Sequence, residues 1–365
     1  MSLEYFNPVR SVYGAGALSS LPGLLGGRRA VLVTFPEARA LGLVARVEAL
    51  LKDQLRGVID DLRPNPDVAE LSGQYDAFWR DANDIDVIIA LGGGSAIDTA
   101  KALMVGTPSR RFDAIVAALS SSRGITPASV KTLIAVPTTA GTGSEVTPWA
   151  TIWDRQRQVK HSLHLAETWP SIAIVDPELM LSLPTGVTLH SGLDALSHAL
   201  EAIWNVNANP LSDTFAIAAA REILATLPAL MQQPSSLALR ARMALAALKA
   251  GMAFSNTRTA LAHSISYEMT LRYGLPHGIA CSFPLPMVLE RAIGRSTERD
   301  RVLARALGPL DKASERLTSF IEQLGVKTRF ADYGVSDEQA DRMVANALTG
   351  ARGRNFIGNQ ALEVA

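Results

Sequence analysis

The chain has 365 residues, 48% of them apolar, and its 35 Lys and Arg balance 35 Asp and Glu, giving zero formal net charge. That length suits two domains better than one core, and the even charge leaves no basic stripe for nucleic acid or an anionic membrane surface. The single cysteine, Cys281, excludes an internal disulfide and fits a reducing compartment; with no secretion-signal pattern and no unbroken apolar run of about 18 residues, the expectation is a soluble, cytoplasmic protein.

Gly14-Ala15-Gly16 is a GxG without a third glycine, and it reads as the turn of a hairpin. VLVTF (31–35) predicts a strand, LGLVARVEALLKDQL (41–55) a helix and GVIDDL (57–62) a second strand. Pro64-Asn65-Pro66 is a rigid turn before the helical AELSGQYDAFWRDA (69–82). DVIIALGGGS (86–95) is an apolar strand that runs through glycines into the helical AIDTAKALMV. A Ser-rich loop at 120–124 is too short to be a linker, and TLIAVPTT (132–139) and SIAIVD (171–176) predict further buried strands. Continuous apolar strands alternating with helices indicate a parallel sheet covered on both faces.

Beyond about 185 the β-branched runs stop and Ala and Leu dominate. Residues 194–204, 212–231, 236–254 and 258–272 all predict helices. Pro177, Pro184 and Gly186 mark the boundary. The expected architecture is α/β plus all-α: a Rossmann-like dinucleotide-binding domain over 1–182 and a helical metal-binding and substrate domain over 183–365.

Gly92-Gly93-Gly94-Ser95 sits between a buried strand and a helix. Glycines there let the backbone approach a pyrophosphate, and the free N–H groups of the helix start favour negative charge. Thr138-Thr139-Ala140-Gly141-Thr142-Gly143-Ser144-Glu145 also follows a strand, at the carboxyl edge where open α/β sheets bind ligands. The other constellation is metal-like. Asp194 and His198 are four apart on one predicted helix face, His263 lies on another helix, and His277 stands at a helix end. Three imidazoles and a carboxylate suit Fe(II) or Zn(II), although spacing alone does not bring these four residues together.

GGGSxxDTAK (92–101), TTAGTGSE (138–145), GLDALSHALE (192–201) and AHSISYEMTLRYGLPHG (262–278) resemble, in order and spacing, the iron-dependent, group III alcohol dehydrogenases. The resemblance spans essentially the whole chain. It implies the dehydroquinate synthase-like fold, with metal and nicotinamide in a cleft between the two domains. It also implies hydride transfer between NAD(H) or NADP(H) and a small aldehyde or alcohol polarised by the metal. Carried over by position, Asp194, His198, His263 and His277 hold the metal. Gly92, Gly93, Gly94 and Ser95 hold the pyrophosphate, Asp98, Thr138, Thr139 and Ser144 line the cofactor groove, and Lys160 reaches the ribose. A homodimer is expected.

The opening YFNPVRSVYGAG and the 262–278 block look like a phosphonate-metabolism branch, whose members reduce phosphonoacetaldehyde to 2-hydroxyethylphosphonate. Cations for a phosphonate are expected at Arg258 and Arg272, five residues before His263 and His277, with His161 and His164 as further candidates. Maleylacetate reductase, short-chain alcohol or lactaldehyde dehydrogenase and, more distantly, a dehydroquinate synthase-like lyase are the alternatives. Two positions depart from the family pattern. Tyr267 stands where many members carry a proton-relay histidine. Thr34-Phe35-Pro36 replaces the carboxylate that NAD-preferring members use, while Arg39 would attract a 2′-phosphate and Glu37 would repel one, leaving NAD and NADP both open.

Overall fold

The structure is a computed structural model, described over residues 3–121 and 124–359. Ser122 and Arg123 of the Ser-rich loop lie outside the described residues. Residues 8–139 and 144–182 form one compact unit, and the remaining described chain forms a second.

The first unit alternates strands with helices: β1 (Arg10–Tyr13), α1 (Leu21–Leu25), β2 (Ala30–Thr34), α2 (Leu43–Leu51), β3 (Leu55–Ile59), α3 (Val68–Asp81), β4 (Val87–Gly92), α4 (Gly94–Met104), β5 (Val105–Gly106), α5 (Asp113–Ser120), β6 (Ser129–Val130), β7 (Thr132–Pro137), β8 (Trp149–Asp154), β9 (Val159–His164) and β10 (Ile172–Val175). Six strands make a sheet in the order β1-β10-β7-β4-β2-β3, and every pairing in it is parallel. Val87 to Gly92 are all buried, as a central parallel strand requires. Alternate strand residues feed two cores. Val33, Ile88, Ala90 and Ala135 join one, and Leu32, Ile89, Leu91 and Ile134 join the other.

This strand order places the glycine loop. From β2 the chain proceeds to β3 on one side, and from β4 it proceeds to β7 on the other. The carboxyl ends of β2 and β4 therefore flank a topological switch point, where open α/β sheets form their ligand crevice. Gly92 ends β4 at that point. A Cβ on it would lie 2.6 Å from Ala96 Cβ, so the turn into α4 excludes any side chain there.

Three expectations need correction. Gly14–Gly16 is a turn but not a hairpin, because β1 pairs in parallel with β10. The chain leaves β1 into a helical turn whose Gly16 and Leu18 N–H groups donate to the buried Asp176 carboxylate. The strand expected at 57–62 is β3, Leu55–Ile59, a part-exposed edge strand that stops before Asp60 and Asp61. The antiparallel β8–β9 pair was not anticipated, its polar tip having masked the alternation.

The second unit contains α6 (Thr185–Ile203), α7 (Pro210–Gln232), α8 (Leu237–Thr257), α9 (Leu261–Tyr273), α10 (His277–Ser282), α11 (Leu285–Ala292), α12 (Thr297–Leu307), α13 (Ala313–Gln323) and α14 (Asp337–Thr349). It also takes in residues 140–143 and those ahead of Pro8, which the expected 1–182 division had placed elsewhere. Tyr5 donates to the Met252 carbonyl at 3.0 Å, anchoring the leading segment on α8. α7 is long and apolar enough to cross a bilayer by length and composition, but it packs against α6 and α8, and its buried Asp213 takes a bidentate contact from Arg299.

Candidate active site

The site begins on α6, where Gly192 to Ile203 are all buried. Asp194, His198 and Glu201 follow i, i+4, i+7 spacing, so one face of a single helix presents all three. α9 brings His263, and α10 opens on His277. Gly278 makes the last placement possible. A Cβ there would lie 1.9 Å from the His190 carbonyl oxygen on α6, so only glycine lets α10 lie this close.

Three imidazoles converge on one oxygen. Asp194 Oδ1 is 3.4 Å from His263 Nε2, 3.9 Å from His198 Nε2 and 4.0 Å from His277 Nε2. A tetrahedral shell with metal–ligand bonds of about 2.1 Å separates its ligands by roughly 3.4 Å, so the spacing suits a single cation. His198 stacks between Phe254 at 4.1 Å and His263 at 4.5 Å. Two of the other ring nitrogens face fixed acceptors: His198 Nδ1 lies 3.2 Å from the Gly141 carbonyl, and His263 Nδ1 lies 2.6 Å from Glu201 Oε2. The Asp194 and His263 side chains are about 5% exposed and His277 is 32% exposed, so a small ligand has access beside His277.

The electrostatics match a cation pocket. Burial works to raise Asp194, yet the His198, His263 and His277 rings hold its carboxyl well below the usual carboxylate range. Burial lowers His198 to about 4, keeping that ring neutral and able to ligate. His263 Nε2 is buried and faces Asp194 Oδ1 at 3.4 Å; burial works to lower this ring, yet the Glu201 and Asp194 carboxylates beside it raise it above the usual histidine range.

Sequence reasoning overlooked Glu201 and Cys281. Cys281 Sγ lies 3.2 Å from Asp194 Oδ1 and belongs to the same tight donor group as Asp194, His263 and His277. The signals were present: Glu201 extends the Asp194–His198 stripe by one turn, and Cys281 follows His277 by four residues.

The other predicted residues divide. Thr138 N–H donates to the Gly92 carbonyl, so the loops after β4 and β7 meet, and a Cβ on Gly93 would lie 3.2 Å from Thr139 Cγ2. Ser95 Oγ accepts from the Asn65 N–H at 3.0 Å. Asp98 accepts from Ser144 Oγ at 2.6 Å and Thr151 N–H at 2.9 Å, while buried Lys101 donates to Ser144 and Trp149. Asp98 and Ser144 thus also brace the β7–β8 connection onto α4. Lys160 lies over the Trp153 ring at 5.1 Å. His161 is buried, and His164 stacks on Trp149.

Arg258 does not share a helix with His263. It ends α8 with φ 68° and is exposed, because the chain turns before α9 starts at Leu261. Arg272 is exposed and paired with Glu268 at 2.6 Å. The cation beside the ligand helix is instead Arg352, half-buried, 4.8 Å from the Tyr267 ring centre and donating to Thr259 Oγ1 at 2.9 Å.

Residues 8–177 match the family described as iron-containing alcohol dehydrogenase, and residues 188–360 match the Fe-containing alcohol dehydrogenase family, C-terminal. The chain belongs to the iron-containing alcohol dehydrogenases. Relatives of this iron-containing alcohol dehydrogenase include the NAD-dependent methanol dehydrogenase of Bacillus methanolicus, 33% identical over 94% of this chain and 93% of that protein. The 1,3-propanediol dehydrogenase of Klebsiella pneumoniae is 30% identical over 94% and 92%. Among solved structures, sulfoacetaldehyde reductase from Bifidobacterium kashiwanohense, in complex with NAD+, superposes with a TM-score of 0.88 at 27% identity, covering 100% of this chain and 98% of that one. The protein is therefore an oxidoreductase of this dehydrogenase family, with iron and a nicotinamide as its cofactors.

Proposed function

We propose that Asp194, His198, His263 and His277 hold one iron(II) ion and that the enzyme reduces a small aldehyde carrying an anionic group, with phosphonoacetaldehyde the leading substrate. The convergence of three imidazole Nε2 atoms within 4.0 Å of Asp194 Oδ1 carries the metal assignment. The likeness to a sulfoacetaldehyde reductase supports an anionic aldehyde, since sulfonate and phosphonate present the same oxygen geometry.

When bound, iron supplies Lewis acidity to the substrate oxygen and the nicotinamide supplies hydride. The chain's residues do the rest. Gly92, Gly93, Gly94 and Ser95, at the N-terminus of α4, hold the pyrophosphate, and Thr138, Thr139, Asp98, Ser144 and Lys160 shape the cofactor groove. Arg39 lies against Asp60 and Glu48, so a 2′-phosphate would have to displace those carboxylates, which favours NAD(H). Burial pushes the Tyr267 hydroxyl up to about 12. Tyr267 therefore keeps its proton at neutral pH and serves as a hydrogen-bond donor, with water completing the proton path.

With Arg258 and Arg272 turned to solvent, Arg352 takes the anion-binding role. The test is a substrate panel on Fe(II)-loaded enzyme with NADH and NADPH, covering phosphonoacetaldehyde, sulfoacetaldehyde, lactaldehyde, maleylacetate and propanal. The anionic two-carbon aldehydes should have the highest kcat/KM, and Arg352→Met should raise their KM roughly 10–100-fold while sparing propanal. A preference for propanal, or equal effects of Arg352→Met on both classes, would refute the substrate assignment.

A further inference from the structure

Glu201 is fully buried on α6, and its carboxylate collects four donors. Oε1 accepts from the Ala262 N–H at 2.6 Å and the His263 N–H at 3.3 Å. Oε2 accepts from the Ala260 N–H at 2.9 Å and from His263 Nδ1 at 2.6 Å. α9 has no side-chain cap of its own at Ala260, so Glu201 caps it from another helix and neutralises three otherwise orphaned amides.

The fourth contact does something different. A carboxylate accepts but cannot donate, so the proton between Glu201 and His263 resides on Nδ1. With Nδ1 engaged by Glu201, Nε2 is the ring nitrogen left to face the proposed metal position, on the side of Asp194 Oδ1 3.4 Å away. The contrast with His198 is instructive. Its Nδ1 meets a neutral carbonyl, Gly141, at 3.2 Å, a weaker acceptor than a carboxylate.

We infer that Glu201 is the positioning residue of the metal centre: it fixes the His263 tautomer and ring orientation and couples them to the start of α9. This rests on the ligand set proposed above. One carboxylate on α6 thereby ties the helix carrying two ligands to the helix carrying the third. Loss of such a partner lowers metal affinity about 10–100-fold in comparable carboxylate–histidine–metal arrangements.

The experiment uses Glu201→Gln in the full chain. Glutamine keeps one oxygen for the α9 amides but offers His263 Nδ1 an N–H donor or a neutral oxygen. Zn(II) affinity is measured by chelator competition, thermal unfolding is followed on metal-free protein, and 15N-histidine NMR is recorded on Zn(II)-loaded protein. The expected result is a 10–100-fold loss of affinity, with the far-downfield Nδ1–H signal of His263 moving upfield. Unchanged affinity with a lowered unfolding midpoint would overturn the inference, reducing Glu201 to a helix cap. Should the variant fail to fold, the wild-type spectrum decides: an exchange-protected Nδ1–H with Nε2 metallated supports the inference, and metallation through Nδ1 overturns it. A wild type that binds no Zn(II) or Fe(II) refutes the ligand set itself.

Discussion

At the scale of single residues, the α/β unit buries Glu145 and Lys101, neither of which belongs to the proposed ligand set. Burial raises Glu145 from 4.5 to about 7 and lowers Lys101 from 10.5 to about 8. Between pH 4.5 and about 7 the native state holds a proton on Glu145 that the unfolded chain has lost, so this group subtracts stability as pH rises through that window. For Lys101 the unfolded chain holds the extra proton between about 8 and 10.5, so stability rises with pH there. Both contributions are least favourable between pH 7 and 8. Denaturant unfolding of wild type and Glu145→Gln should show the variant gaining on the wild type from pH 5 to pH 7.5, and a constant difference would contradict the Glu145 assignment. A second residue-level expectation concerns cofactor choice. Asp60→Asn frees Arg39, so kcat/KM with NADPH should rise relative to NADH. An unchanged ratio would show that Arg39 does not meet the cofactor.

At the scale of elements, the approach of α10 to α6 depends on Gly278. Gly278→Ala drives a methyl into the His190 carbonyl, and overpacking of this kind costs about 1–3 kcal/mol. Lowered metal affinity should accompany the lost stability, because the same shift moves His277 away from Asp194. A variant as stable as the wild type would mean that α10 can slide without cost. Elements were also where the sequence was most legible. The buried runs at 87–92 and 133–137 have no polar alternation, so β4 and β7 could be read directly, and Asp194 and His198 shared a face by spacing alone. What escaped was long-range. No local pattern shows that Gly141 turns toward His198 or that Glu201 caps a helix sixty residues further on. Arg258 was misplaced because a φ of 68° at a non-glycine residue breaks a helix that composition continues, and Arg352 was missed because its contact with Tyr267 is purely tertiary.

At the scale of the whole molecule, the four proposed metal ligands all lie on the helical unit, while the Gly92–Gly94 turn belongs to the α/β unit. Metal binding should therefore stabilise the helical unit by mass action, by about 2.7 kcal/mol at a hundredfold excess over Kd, and leave the unfolding of the α/β unit unchanged. The central claim is that Asp194, His198, His263 and His277 together form one iron site. Metal content of anaerobically Fe(II)-loaded, desalted protein tests it most directly, with Asp194→Ala and His263→Ala beside the wild type. The account expects one iron per chain in the wild type and almost none in either folded variant. Retention of a full equivalent of iron by both variants would contradict it.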